Sequence, residues 1–159
     1  MKPNFLVLYF LFFAFIIQSS FSQISNDVFK QLNFRFIGPD GNRAIAIAGV
    51  PGNPMINYIG AASGGLWKTT DGGVNWEPIF DGQDVSSIGS IAIAPSNPDI
   101  LWVGTGETFI IRPAHAMGDG IYKSTNGGET WAHLGLDLSA YIGRIVVDLT
   151  NSHDFAIGR

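Results

Sequence analysis

Three side chains that could bind a ligand or move a proton lie in one short segment. Glu107, Arg112 and His115 supply a carboxylate, a planar set of N–H donors and an imidazole that titrates near neutral pH. The same segment, residues 106–118, carries the apolar run Phe-Ile-Ile at 109–111, which a solvated loop rarely exposes. This combination favours ligand binding. The competing interpretation is that the apolar run only packs the segment onto the rest of the protein.

The elements that must position this segment repeat along the chain. Residues 65–76 read GLWKTTDGGVNW, and residues 120–131 read GIYKSTNGGETW. Upstream of each lies an apolar run that ends near Asn53 or Asn97, and a third copy begins before Asn151. The second repeat is longer because it contains an insertion within residues 106–118. Repetition at this spacing predicts a modular array.

Each repeat contains four short segments rich in Ile, Val, Trp and Tyr, separated by Gly, Pro, Asn and Asp, which predicts strands and turns. In the second repeat the strands are expected at residues 88–94, 100–105, 120–124 and 130–134. Four strands per about 40–50 residues is the spacing of propeller blades. The sequence therefore predicts an all-β propeller of four-stranded antiparallel blades. It accounts for two blades and the start of a third, in which residues 155–159 belong to the second strand.

Each repeat also carries a polar turn suited to closing a hairpin between the third and fourth strands. A carboxylate or amide oxygen can accept hydrogen bonds from backbone N–H groups two or three residues further on. Paired glycines supply the positive φ of a tight turn. We therefore expect these turns to be structural rather than catalytic. Their residues are Thr69, Asp71, Gly73 and Trp76 in the first turn and Ser124, Asn126, Gly128 and Trp131 in the second.

These turns resemble the Asp-box, or BNR repeat, Ser/Thr-x-Asp-x-Gly-x-Thr-Trp, of sialidases, xyloglucanase-like glycoside hydrolases and sortilin-type Vps10 propellers. Asn75 stands where Thr is usual, and Asn126 replaces the acid. The pattern at residues 103–107 and 118–124 is similar to the large secreted bacterial propellers of the sortilin/xyloglucanase-like group. The resemblance covers residues 34–159. It implies an N-terminal fragment of a propeller whose remaining blades belong to a longer chain.

In the hydrolases that the chain resembles, the active site lies on the face opposite the Asp-boxes. A xyloglucanase-like enzyme is expected to carry a catalytic Asp in the turn between strands two and three of the first blade, where this chain has Ala62. A methyl group cannot transfer a proton or attack a sugar. Sialidase chemistry needs an arginine cluster and an activated Tyr, which Arg43, Arg112 and Arg144 do not indicate. The segments expected on that face are residues 38–42, 61–64, 81–87, 106–118 and 137–141.

Two classes of function remain open. A module that binds glycans or extracellular proteins needs a concave face with aromatic and polar groups, and the sequence favours this class. The alternative is the N-terminal part of a glycoside hydrolase, xyloglucanase-like or sialidase-like, whose catalytic residues lie mostly downstream. Such an enzyme usually needs two carboxyl groups across the scissile bond. No catalytic residue is assigned within this chain, and the sequence argues against enzymatic activity of these residues alone.

The N-terminus predicts export. Lys2 precedes an apolar run at residues 5–17, and Ser20 and Ser22 suit a signal-peptide cleavage site after Ser22. The run is shorter than the roughly 20 residues of a membrane span, although a short uncleaved anchor is the competing interpretation. We predict a signal peptide over residues 1–22, a linker over 23–33 and propeller blades over 34–159. The protein is then secreted, periplasmic or at the cell surface, and leaves the membrane after cleavage.

Composition narrows the partners further. The chain has no cysteine, so no disulfide is expected. Its 9 basic and 13 acidic residues argue against nucleic acid or an anionic membrane as a partner. His115, His133 and His153 match no spacing of metal ligands. No metal or other cofactor is therefore expected, and the predicted partner is a glycan or an extracellular protein.

Overall fold

The computed structural model describes residue 38, residues 43–108 and residues 116–158. All of them belong to one compact unit, Phe36–Arg159. The predicted signal peptide, the linker and residues 109–115 of the insertion lie outside the described residues. Nothing in the described part of the chain has the length and apolar character of a helix that could cross a membrane.

The described residues form ten strands in three antiparallel sheets. Blade 1 consists of β1 (Ala44–Val50), β2 (Asn53–Ala61), β3 (Leu66–Thr69) and β4 (Glu77–Pro78). Blade 2 consists of β5 (Ile88–Ile93), β6 (Leu101–Thr105), β7 (Ile121–Ser124) and β8 (Ala132–His133). Blade 3 begins with β9 (Arg144–Val147) and β10 (Phe155–Gly158), which pair with each other.

Each strand pairs with its neighbour in the sequence, and the first strands of successive blades lie next to one another. This arrangement is that of propeller blades, so the predicted all-β fold class is confirmed. The strands of blade 2 agree with the prediction to within one or two residues at each end. β8 is only two residues long, and shortly after it the backbone takes positive φ at Gly135 (91°) and Leu136 (65°).

The apolar core lies between the blades, where the flat faces of successive sheets meet. One cluster joins blades 1 and 2, and a second joins blade 2 to blade 3. The first contains Tyr58, Leu66, Phe80, Ile88, Leu101, Val103 and Tyr122, and the second contains Ala94, Ile100, Trp102, Ile121, Ile142, Ile145 and Val147.

A glycine in the second strand of a blade makes room for an isoleucine of the next blade. A Cβ on Gly60 would lie 2.4 Å from Cγ2 of Ile88, and a Cβ on Gly104 would lie 2.4 Å from Cγ2 of Ile142. Both isoleucines are buried and are followed by glycine. Gly158 follows Asn151 at the spacing at which Gly60 and Gly104 follow Asn53 and Asn97. The distance between adjacent blades therefore depends on the missing side chain at these positions.

We predict that Gly60→Ala lowers the free energy of unfolding by about 1–3 kcal/mol, because a methyl group overlaps Ile88 and forces the blades apart. Gly158→Ala is the matched control, since the nearest atom to its Cβ is Cβ of Arg144 at 3.9 Å. Chemical denaturation followed by circular dichroism measures both. Equal effects of the two substitutions would contradict this account of blade spacing.

Candidate functional site

The antiparallel order of the strands divides the connections between two faces. The connections β2–β3, β4–β5, β6–β7 and β8–β9 lie on one face, called here the upper face. The hairpins β3–β4 and β7–β8, which carry the two polar turns, lie on the opposite, lower face. The described ends of the insertion, residues 106–108 and 116–118, and the polar turns are therefore on different sides of the blades.

Backbone hydrogen bonds fix the turns of the upper face to the connection that follows in the chain. Gly65 N donates to Ser86 O at 2.8 Å, and Gly106 N donates to Ser87 O at 2.8 Å. The β4–β5 connection thus lies between the β2–β3 turn of blade 1 and the start of the insertion in blade 2. Ser87 Oγ is buried and has no hydrogen-bond partner among the described residues.

Two backbone hydrogen bonds fix the described ends of the insertion. Glu107 N donates to Ala116 O at 2.8 Å and so joins the two ends to each other. Gly118 N donates to Ala140 O at 2.8 Å and so attaches the second end to the β8–β9 connection. Arg112 and His115, two of the three candidate binding residues, lie outside the described residues, and their role stays a prediction.

Glu107, the third candidate, forms an ion pair with Arg43 between blades 1 and 2. Its side chain is 0% exposed, whereas that of Arg43 is 31% exposed. Ala116 N also lies 3.5 Å from Glu107 Oε2. A buried carboxylate requires such partners because its desolvation is costly. The carboxylate therefore lies inside the protein, where it links blades 1 and 2 at the upper face. Direct ligand contact through Glu107 stays a prediction.

The position at which the family resemblance implies a catalytic Asp is occupied by a buried methyl group. Ala62 is 0% exposed, and its N–H donates to Arg43 O at 2.8 Å. Ala62 thus anchors the β2–β3 turn to the residue that precedes β1. It supplies no group that could act as an acid, a base or a nucleophile.

A polar cluster on the upper face of blade 2 was not found from the sequence. Tyr122 Oη donates to Asp119 Oδ2 at 2.6 Å. His133 Nε2 lies 2.9 Å from Asp119 O and 3.3 Å from Asp137 Oδ1, and the rings of Tyr122 and His133 are 4.6 Å apart. No sequence motif connects these positions, because the strand pairing of β7 with β8 brings them together.

Tyr122 is held as a hydrogen-bond donor in this cluster. Burial, followed by its hydrogen bond to Asp119 and the nearby carboxylates, raises the pKa of Tyr122 above its ordinary value. The raised pKa makes the phenolate harder to form, which does not suit the Tyr nucleophile of sialidases. The described residues contain no group of three or more His, Cys, Asp or Glu arranged to hold a metal ion.

On the lower face, Asp71 organises the hairpin of blade 1. Its Oδ1 accepts hydrogen bonds from Val74 N and Asn75 N, both at 2.9 Å, and from Thr69 Oγ1 at 2.8 Å. Thr69 Oγ1 in turn accepts from Gly73 N at 2.9 Å. The backbone and side-chain hydrogen bonds of Asn75, with that of Thr69, lower the pKa of Asp71 to about 2. The hairpin therefore stabilises the ionised form of the Asp71 carboxylate.

Asn126 takes the same position in the hairpin of blade 2. Its Oδ1 accepts from Thr130 N and Ser124 Oγ, both at 2.9 Å, and its Nδ2 donates to Thr130 Oγ1 at 2.9 Å. Ser124 Oγ accepts from Gly128 N at 2.9 Å. The neutral amide thus makes the same backbone contact as the carboxylate of Asp71, with Thr130 in place of Asn75.

The tryptophans that end the two turns differ in their partners. Trp76 Nε1 donates to Gly73 O of its own hairpin at 3.2 Å. Trp131 Nε1 donates to Ile79 O of blade 1 at 2.7 Å, and its ring packs edge-on against Phe80. Trp131 therefore contributes to the contact between blades 1 and 2.

Similarity to known proteins supports a glycoside hydrolase propeller. The chain is 30% identical over 125 residues to the xyloglucanase of Hypocrea jecorina, an alignment covering 65% of the chain and 15% of that enzyme. Its structure is similar to the GH74 enzyme of Niastella koreensis (28% identity, TM-score 0.50) and to an ancestral GH74 enzyme (25% identity, TM-score 0.60). The alignment with the Niastella koreensis enzyme covers 64% of this chain and 15% of that protein. The alignment with the ancestral enzyme covers 78% of this chain and 17% of that protein.

No family model matches the chain. The chain spans less than a fifth of the length of each of these relatives. The similarities nevertheless favour the glycoside hydrolase alternative over the binding module that the sequence favoured. The chain is thus an all-β propeller segment similar to part of the GH74 xyloglucanase-type enzymes.

We predict that the hairpin of blade 1 loses stability in acid. The folded pKa of Asp71 lies below its unfolded value of 3.8, so its contribution is complete above pH 3.8 and is lost as the pH falls towards about 2. Asp71→Asn combined with Asn75→Thr copies the hairpin of blade 2 and should flatten this part of the thermal stability profile. A smaller dependence of thermal stability on pH should remain in the variant, because the pKa of Asp148 is also lowered. An unchanged profile would argue against the role given to Asp71.

We also predict strong coupling between Arg43 and Glu107. Arg43→Met should lower the free energy of unfolding by about 3 kcal/mol, because it removes a cation that pairs with the buried carboxylate of Glu107. Arg43→Met combined with Glu107→Leu should cost less than the sum of the two single changes. Arg144→Met is the matched control, since Arg144 is exposed, and its effect should stay within about 0.5 kcal/mol. Additive costs in urea denaturation would show that the pair does not stabilise the junction.

Proposed function

We propose that this chain contributes blades to a glycoside hydrolase that acts on xyloglucan or a closely related β-glucan. The observation that carries the proposal is the similarity of the chain to a xyloglucanase and to GH74 enzymes in structure. The predicted export is consistent with a polymeric substrate that a cell cannot take up whole.

The upper face is the proposed polysaccharide-binding surface. It combines half-buried Tyr141 with exposed carboxylates, among them Asp81 and Asp84. Aromatic rings and carboxylates are the groups that bind the apolar faces and the hydroxyls of sugars. The backbone bonds of Gly65 and Gly106 to the β4–β5 connection keep this surface fixed, which reduces the entropy that binding must otherwise overcome.

The proposed role of these blades is to bind the polymer, with the catalytic carboxylates supplied by residues other than those described. Ala62 motivates this division, because hydrolysis with an acid and a base needs two carboxyl groups and the expected position of one holds a methyl group. The same observation favours a second candidate, a glycan-binding propeller without hydrolysis. The two candidates share the upper face and differ in whether the polymer is cleaved.

We predict that soluble xyloglucan retards the folded chain in affinity gel electrophoresis, whereas dextran does not. Asp84→Ala on the upper face should weaken retardation about tenfold, since a lost hydrogen bond from a charged group costs about 1.5–3 kcal/mol. Glu129→Ala, an exposed carboxylate on the lower face, is the matched control and should bind as the unchanged chain does.

A reducing-end assay on the same samples separates the two candidates. The chain alone should release no reducing ends. Cleavage by the chain would place the catalytic acids within it and contradict the role given to Ala62. Absence of retardation by xyloglucan, or loss of retardation through Glu129→Ala only, would contradict the proposed surface.

A further inference from the structure

The turn of blade 2 contains the single Asn–Gly pair of the sequence, Asn126-Gly127. Such a pair is chemically labile, because glycine has no side chain to hinder attack of its backbone nitrogen on the preceding amide. Gly127 N forms a bond to Asn126 Cγ, the bond from Cγ to Nδ2 breaks, and ammonia leaves with the proton from Gly127 N. Water then opens the cyclic imide to aspartate or isoaspartate.

The fold holds both reacting groups away from this path. Gly127 N, the nucleophile, donates a hydrogen bond to Asp99 O at 2.9 Å. The amide of Asn126 is bound through Oδ1 to Thr130 N and Ser124 Oγ, and through Nδ2 to Thr130 Oγ1. Attack requires Asn126 to rotate out of these bonds and Gly127 N to leave Asp99. The reaction therefore has to wait for local opening of the hairpin.

Blade 1 adds a second restraint on Gly127. Lys68 Nζ donates to Gly127 O at 2.9 Å, and Tyr58 Oη approaches the same oxygen at 3.4 Å. Gly127 is buried beneath these contacts. Opening of the hairpin therefore also requires the lower edge of the junction between blades 1 and 2 to separate.

We propose that Asn126 is a site of spontaneous deamidation whose rate is set by the contact of Gly127 with Lys68 of blade 1. Deamidation then records how often this junction opens. The aspartate product is compatible with the fold, because the carboxylate of Asp71 accepts the corresponding N–H, that of Asn75, in blade 1. The isoaspartate product is not compatible, since it adds a methylene group to the main chain within the turn.

The test measures conversion of Asn126 by peptide mass mapping after incubation of the folded protein in mildly alkaline buffer. Lys68→Met retains the aliphatic stem and removes the donor to Gly127 O. It should accelerate deamidation about fivefold, as expected for the loss of one hydrogen bond. The chain unfolded in urea supplies the unprotected rate, which should exceed that of every folded form.

Lys123→Met is the matched control. Lys123 has the same place in β7 that Lys68 has in β3, and its Nζ lies 3.0 Å from His153 Nδ1 of blade 3 without contacting Gly127. It should leave the deamidation rate at Asn126 unchanged.

If Lys68→Met does not fold, as judged by near-ultraviolet circular dichroism, Tyr58→Phe removes a donor from the same oxygen, Gly127 O, and should also accelerate the reaction. Equal deamidation rates in the unchanged chain and in the folded variant, Lys68→Met or its substitute Tyr58→Phe, would overturn the proposal. Equal rates in folded and unfolded protein would also overturn it.

Discussion

The packing of Ile88 on Gly60 is the constraint on which the junction between blades 1 and 2 depends. Because Gly60 has no side chain, the first strand of blade 2 approaches the second strand of blade 1 closely enough to bury Ile88 completely. Ser86 and Ser87 immediately precede Ile88, and their carbonyl groups accept hydrogen bonds from Gly65 N in the β2–β3 turn and from Gly106 N in the β6–β7 connection. The position of one isoleucine therefore determines how the turns of two blades are aligned on the candidate site.

Much of the fold could be predicted because its signals are local. The hydrogen bonds of Asp71 and Asn126 reach no further than four residues along the chain, so the spacing of residue types within each turn already contains the structure. The strands follow in the same way from short apolar runs between turn residues. The positive φ of Leu136 after β8 could not be predicted, because leucine does not favour this region of φ.

The candidate site was harder to predict because its contacts join distant residues. Arg43 and Glu107 are separated by 64 positions, and no periodicity relates them. Glu107 was predicted as a candidate binding residue because it offers a carboxylate within the insertion. That its side chain is buried in an ion pair with Arg43 could not be predicted, and its contact with a ligand stays a prediction. The position of Ala62 was informative only through the resemblance to glycoside hydrolases, because an alanine by itself signals nothing.

The order of the blades in the sequence has a consequence for synthesis on the ribosome. Each described strand pairs with a sequence neighbour, so blade 1 can complete its sheet before Ile88 has been made. Ile88 nevertheless cannot pack on Gly60 until it has been made, and the ion pair of Arg43 with Glu107 cannot form until Glu107 follows. At about 5–20 residues per second these delays last on the order of seconds. During translation each blade therefore exposes an apolar face to the cell for a time set by the length of the next repeat.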